Sequence, residues 1–315
     1  MRVLRGEKKH AISKGHIGCL GDVATINVAR GCGGGCVFCH ARCVAGAPPP
    51  GAVLLYENLP DLLRKTLERR RRPLPRFALF STASDPFLGG QQVVDVSRAC
   101  LQTLVEHNIG LSLSTRGDVP EAVVDLLARH RDFVRFTLPL PSLSEEYVRD
   151  WEVGTALPRE RLFLLQRLQR AGVAVEVRIE PLIPFVNDST EQLRELTSAL
   201  AGVGIESATV SYLHLRPGVA EQLQREAPGE MGPLVLGGFV PDDPAFQQPT
   251  GKFQHLPVKL RAAGLRRIQR IARDRGVRVS ACNCQNPGIP ARRCAVQPPH
   301  LPQPKGEQIP LLGVE

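Results

Sequence analysis

The chain has 315 residues, is 43% hydrophobic and carries a formal net charge of +9, a size and composition that can bury one large α/β core. It has no run of roughly 18 apolar residues, as a membrane-spanning helix needs, and no apolar stretch behind the charges of MRVLRGEKKH, so the expectation is a cytoplasmic protein outside any membrane. Nine cysteines without an export signal argue against a disulfide framework and for metal or redox chemistry.

An N-terminal extension occupies residues 1–21. Over about 22–215, short apolar runs alternate with amphipathic stretches of helical period, which predicts repeated βα units on a parallel sheet. The predicted strands are 23–29, 77–82, 110–115, 133–139, 174–180 and 207–213, each rich in Val, Ile, Leu or Phe. The arginine run at 69–72 ends a predicted helix; it permits a phosphate-rich partner, but a solvated helix end is the stronger reading.

Cys100 shares a helical pattern with Val93, Val96, Leu101 and Leu104 and reads as a core residue. Helix starts are marked by Asp118-Val-Pro-Glu121 and Asp188-Ser-Thr-Glu191, where the first side chain is placed to cap and the Glu to reach back. Leu162, Leu165 and Leu168 share one helix side, and Gly172 can take the left-handed conformation before the strand at 174.

The βα region runs over 22–227. Residues 228–281 hold a Pro- and Gly-rich loop or cap to 257, a basic helix at about 258–276 and a final strand at 277–281. The segment 282–315 carries cysteines and has seven prolines from Asn286 onward, which predicts extended chain wrapped on the surface or partly disordered.

Cys32-Gly-Gly-Gly-Cys36-Val-Phe-Cys39 places three thiols within eight residues, with glycines that let the backbone curl round a cluster. Three ligands for the four irons of a [4Fe–4S] cluster leave one iron open to the amino and carboxylate groups of S-adenosyl-L-methionine. One electron from the cluster then breaks the sulfonium C–S bond. A structural zinc knot is the alternative, weakened by the lack of a second C-x-x-C pair nearby.

These residues, together with Arg30-Gly-Cys32 through Cys39-His-Ala-Arg42, Ser84-Asp85-Pro86-Phe87, Ser114-Thr115-Arg116 and Arg178-Ile-Glu-Pro181-Leu-Ile-Pro184, resemble the radical S-adenosylmethionine superfamily. Within it they are most like the spore photoproduct lyase-like subgroup. The resemblance implies an α/β fold, a partial (β/α)6 TIM-like barrel, here with a C-terminal cysteine-containing extension. It also implies a flavodoxin- or ferredoxin-type electron donor.

The cofactor contacts it suggests are Phe38, His40, Ser84, Asp85, Ser114, Arg116, Arg178 and Glu180. Arg116 would suit the methionine carboxylate, while Arg178 and Glu180 project to one side of a strand and either hold cofactor or pair with each other. Asp85 equally suits a turn before Pro86.

The sequence also departs from that subgroup. Its lyases carry a hydrogen-donating cysteine at the position of Thr82, and tyrosines where this chain has Phe38 and His40. A hydroxyl O–H is too strong to replace a thiol as donor, so repair of a thymine dimer by that route is not expected.

Cys282-Asn-Cys284 with Cys294 forms a second trio, suited to an auxiliary iron–sulfur cluster or zinc completed by Cys19, Cys43, a histidine or substrate. The functional expectation is a radical enzyme, lyase or transferase in type, acting on a nucleobase, nucleotide or other small organic substrate. Two alternatives are a peptide- or amino-acid-modifying radical enzyme using the auxiliary cluster, and a zinc-dependent nucleic-acid-binding protein. The last is weakened by an aromatic content of only 5%.

Overall fold

The structure is a computed structural model, described over residues 1–69, 73–241 and 253–301. Arg70, Arg71 and Arg72, part of the expected loop at 242–252 and the tail 302–315 lie outside the described residues. Among the described residues no helix is long and apolar enough to cross a membrane.

In chain order the elements begin with β1 (Arg2–Gly6), β2 (Ser13–Ile17), β3 (Gly21–Ile26), β4 (Ala29–Arg30), β5 (Ala52–Tyr56), α1 (Leu59–Glu68), β6 (Phe77–Phe80), α2 (Gln91–Glu106) and β7 (Gly110–Ser114). They continue with α3 (Glu121–Arg129), β8 (Val134–Pro139), α4 (Glu145–Trp151), α5 (Pro158–Arg170), β9 (Ala174–Leu182), α6 (Thr190–Gly202) and β10 (Ser207–Tyr212). The last are α7 (Val219–Glu226), α8 (Met231–Leu236), β11 (Val240–Pro241), β12 (Gln254–His255), α9 (Val258–Arg273) and β13 (Arg278–Ala281).

The main sheet has the order β13-β10-β9-β8-β7-β6-β3-β2. All neighbours are parallel except β2, which runs antiparallel to β3. This is the partial α/β barrel expected, with its strands formed by the six predicted runs and extended at one edge by β13. The first run is split: β3 stops at Ile26, and Ala29 and Arg30 leave to pair with β5 in a small separate sheet with β1.

The apolar face of each helix explains the packing. On α1 the buried residues are Leu59, Leu63 and Leu67, one stripe at i, i+4, i+8. On α5 they include Leu164, Leu165 and Leu168, with Leu162 partly buried beside them, and Cys100 is wholly buried in α2.

Along β9, Val177 and Ile179 join this helix-packed core, so by strand alternation Glu176, Arg178 and Glu180 face the opposite, inner side. Gly172 has φ +72°, as the left-handed turn before β9 requires.

Three local expectations need correction. Pro120 occupies the position before α3, and Asp118 accepts from the adjacent Val119 N–H (2.8 Å) and pairs with Arg167 at 3.8 Å instead of capping the helix. At α6 the cap is Ser189 with Gln192 rather than Asp188 with Glu191, because Asp188 instead accepts from the Phe185 N–H, Tyr212 Oη and Arg267.

The third concerns the C-terminal segment, which over 286–301 is extended at the surface as expected but also sends alternate side chains inward. Cys282, Cys294 and Val296 form a cluster with Val23 and Leu79 of the inner sheet face. Arg135 of β8 donates to the Gln297 carbonyl at 3.2 Å, and Asn286 donates to Ser211 of β10 at 3.0 Å. The segment therefore packs against the inner face, meeting β10 at Ser211, β3 and β6 at Val23 and Leu79, and β8 at Arg135, where its buried apolar residues match those of the sheet.

Candidate active site

The triplet loop leaves the barrel just after β3 and β4. Its backbone is fixed from three sides. Gly33 N donates to the Leu88 carbonyl (2.7 Å) in the loop after β6, while Gly35 N and Val37 N donate to the Val153 (2.6 Å) and Trp151 (3.1 Å) carbonyls after α4. From α7, the buried Gln222 side chain donates to the Val37 and Cys39 carbonyls at 2.9 and 3.3 Å. Arg42 donates to the Cys36 carbonyl at 3.1 Å and is itself held bidentately by Glu226, at 2.6 and 3.0 Å.

Close approach explains the glycines. A Cβ at Gly33 would stand 3.3 Å from the Leu88 backbone, and one at Gly35 3.3 Å from the Val153 side chain. A bulkier residue at either position would push the loop off the walls that order it.

Cys36 is buried, and Cys32 and Cys39 are partly exposed. Burial pushes the Cys32 thiol up to about 11, with the Asp85 charge adding to it, and burial likewise raises Cys36. As thiols they stay protonated at neutral pH, so it takes a metal to displace the proton and make them ligands.

Asp85 ties two strand ends together. Its carboxylate accepts from the Phe87 and Leu88 N–H groups, from Thr115 Oγ1 (2.7 Å) and from Arg116 N (2.7 Å). Arg116 in turn lies over the Phe38 ring at 5.7 Å. Its Nε donates to Glu152 at 3.0 Å and Nη2 to the Glu180 carbonyl at 3.2 Å. Burial works against the Arg116 charge, and Glu152 together with Cys36 and Tyr147 outweighs it, so its pKa is raised.

Arg178 and Glu180 pair with each other at 2.9 Å. Ser114 and Thr82 are exposed, and Thr82 Oγ1 donates to Asn27 at 3.3 Å. His40 opens the turn after Cys39, and burial lowers its pKa, with Arg216 adding to that.

A family model described as the Radical SAM superfamily matches residues 26–197, from the end of β3 into α6. The chain belongs to the radical SAM superfamily. The uncharacterized protein Rv2578c of Mycobacterium tuberculosis is 29% identical over 202 residues, 61% of this chain and 59% of that protein. A radical SAM Nalpha-GlyT isomerase of Pseudomonas phage M6 is 23% identical over 202 residues, 62% of this chain and 41% of that protein. The match thus spans less than two thirds of either curated relative.

Among solved structures, a serine-for-cysteine mutant of spore photoproduct lyase aligns with a TM-score of 0.64 at 17% identity, covering 88% of this chain and 81% of the lyase. Another mutant of the lyase, with bound AdoMet and dinucleoside spore photoproduct, gives the same score and coverage at 14% identity. At such identity the likeness concerns the fold.

The side chains of this radical SAM enzyme fit the group its family uses. Three thiols on one short loop are the donor set of a cluster with an open iron. Buried polar atoms without a hydrogen-bond partner among the described residues include Ser84 Oγ after β6, Glu180 Oε2 on β9 and the Tyr147 hydroxyl on α4. Each such atom costs about 1–3 kcal/mol unless something polar meets it.

Sequence reading did not single out Tyr147, Glu152, Arg161, Gln222 or Glu226. All of them lie far along the chain from the triplet, and only Gln222 and Glu226 even share a helix. Glu152 carries the one available hint, a charged residue next to the only tryptophan, and it turns out fully buried between Arg116 and Arg161.

Proposed function

We propose that this radical SAM enzyme holds a [4Fe–4S] cluster through Cys32, Cys36 and Cys39 and reductively cleaves S-adenosylmethionine to abstract hydrogen from a nucleobase, nucleotide or other small polar substrate. The cluster, when bound, supplies the electron that converts S-adenosylmethionine to methionine and a 5′-deoxyadenosyl radical. The observation that carries the reading is the triplet loop at the strand ends, fixed by backbone hydrogen bonds from the loop after β6, the loop after α4 and helix α7.

The chain's own residues then have distinct tasks. Phe38 and Arg116 form one wall beside Cys36, with the remaining Arg116 nitrogen offered to a carboxylate. Ser84, Glu180 and Tyr147 satisfy their orphaned atoms on the cofactor, and Arg178 holds Glu180 in place. Asp85 positions the Arg116 backbone, His40 borders the cluster loop, and Ser114 and Thr82 face the substrate side. Such a polar rim favours a nucleotide-like substrate, a reading supported by the likeness to a lyase solved with bound AdoMet and dinucleoside spore photoproduct. A flavodoxin- or ferredoxin-type protein supplies the electron.

Anaerobic reconstitution with iron and sulfide, followed by dithionite and mass-spectrometric detection of 5′-deoxyadenosine, tests this. About four irons bound at the triplet and product formation lost in Cys36→Ala are expected. No iron at the triplet and no cleavage under strong reduction would overturn it. Faster 5′-deoxyadenosine release with oligonucleotides than with peptides is the expected substrate response; the reverse ranking would favour peptide modification.

A further inference from the structure

We infer that Cys282, Cys284 and Cys294 hold a single tetrahedral zinc ion rather than a second iron–sulfur cluster, and that this ion sits at the seam where the two edges of the barrel sheet meet. The inference does not rest on the proposed reaction. It rests first on size. The three sulfurs stand 3.0, 2.6 and 3.4 Å apart, and among the described residues this is the one group of metal-ligating side chains gathered within 4.8 Å.

Zn–S bonds of ~2.3 Å set sulfurs about 3.8 Å apart at the corners of a tetrahedron, so seating the ion spreads the trio by about 1 Å or less on average. Cysteine sulfurs on a four-iron cube stand roughly 6 Å apart. That would double the separations inside a pocket closed by Val23, Leu79 and Val296. The Cys32, Cys36 and Cys39 sulfurs are not drawn together in this way, so the two trios differ in the size of group they suit.

The second observation is topological. Cys282 and Cys284 follow β13, which forms one end of the eight-strand order, and the turn Gly18–Leu20 follows β2, which forms the other. The two turns touch: a Cβ at Gly18 would stand 2.4 Å from Cys284 Cβ. Cys294 comes from the segment packed on the inner face. An ion held by the trio would thus sit at the open seam of the partial barrel, joining the turn after β13 to that segment.

Charge and access agree with this site. Three thiolates around Zn²⁺ leave one negative charge, and the buried Arg178 lies where its charge acts on Cys282 and Cys294 and donates to Gln285 at 3.4 Å. A cavity of about 160 Å³, lined by Arg135, Glu176, Arg292, Cys282 and Cys294, supplies an entry path.

The test is metal content of the full chain purified without added metal, with cobalt substitution as a second readout. One zinc per chain is expected, retained in Cys36→Ala and lost in the Cys282→Ser/Cys294→Ser double variant. Cobalt-grown wild type should show the thiolate charge-transfer and d–d bands of a tetrahedral site.

About eight irons per chain, four of them surviving in Cys36→Ala, would overturn the zinc site, as would a metal-free trio alkylated in the native protein or oxidised to a disulfide. If the double variant fails to fold, the wild-type zinc count and cobalt spectrum still decide. Failure of S-adenosylmethionine cleavage would leave the zinc count untouched, so the two readings fail separately.

Discussion

Replacing Glu152 by Gln keeps the shape of the side chain and removes one charge from between two arginines. Glu152 is fully buried, 3.0 Å from Arg116 Nε and 2.5 Å from Arg161 Nη2, and Arg161 is only 1% exposed. Removing one partner of a buried ion pair costs about 3–5 kcal/mol, because the remaining charge cannot return to water. Arg161 retains the Ala156 and Pro139 carbonyls and Thr155 Oγ1, which places the loss near the lower end, about 3 kcal/mol.

For a chain of this size the unfolding entropy is roughly 0.7 kcal/mol per kelvin, so the melting temperature should fall by about 4–5 °C. Circular dichroism melting of the anaerobically purified protein reads this, and 5′-deoxyadenosine release reads the displacement of Arg116 from Phe38 and Cys36. A loss below about 1 kcal/mol, or simple additivity of Glu152→Gln with Arg161→Met, would refute the buried-network reasoning, since groups sharing one network must couple.

Gln222→Ala removes the side-chain donor to the Val37 carbonyl and one of the donors to the Cys39 carbonyl, which keeps the Arg42 N–H, and should cost about 1–3 kcal/mol. It should also lower iron retained through gel filtration; full retention would show that α7 does not order the loop. Gly264→Ala should lower the melting temperature, although the same change in an exposed helix gains about 1 kcal/mol. Its Cβ would stand at 1.9 Å from Tyr212 Oη, and a rise in melting temperature would contradict that packing.

Burial depresses the His214 pKa to about 3, with the Arg216 charge adding to it. The folded value thus lies below the unfolded one of about 6.5, the unfolded chain binds the extra proton between the two, and stability is lost as pH falls through that window. His214→Gln should flatten the acid limb of a melting-temperature profile; an unchanged limb would mean His214 titrates freely.

Local signals made the cysteine triplet and the six strands legible. Cys32, Cys36 and Cys39 are neighbours in sequence, and a run such as 110–115 or 174–180 states its strand character within a few residues. The cap at α6 was misplaced by one residue because Asp188 and Ser189 are both capping types, and the choice fell to Tyr212 and Arg267, which claim Asp188. The inward packing of 286–301 was missed because its prolines outvoted the sparse apolar residues Ile289, Ala291, Val296 and Leu301, all of which prove buried.

By itself the sequence determined the radical SAM family and the βα order, since both depend on residue types at short, fixed spacing. Only the tertiary structure decided what surrounds the triplet, how Glu152 is shared by two arginines, and that the second cysteine trio lies at the seam between the first and last strands of the sheet. Those contacts join residues from nine positions apart, as in Glu152 and Arg161, to well over a hundred, as in Gln222 and Val37, and their energies depend on burial and distance and leave no periodic mark along the chain.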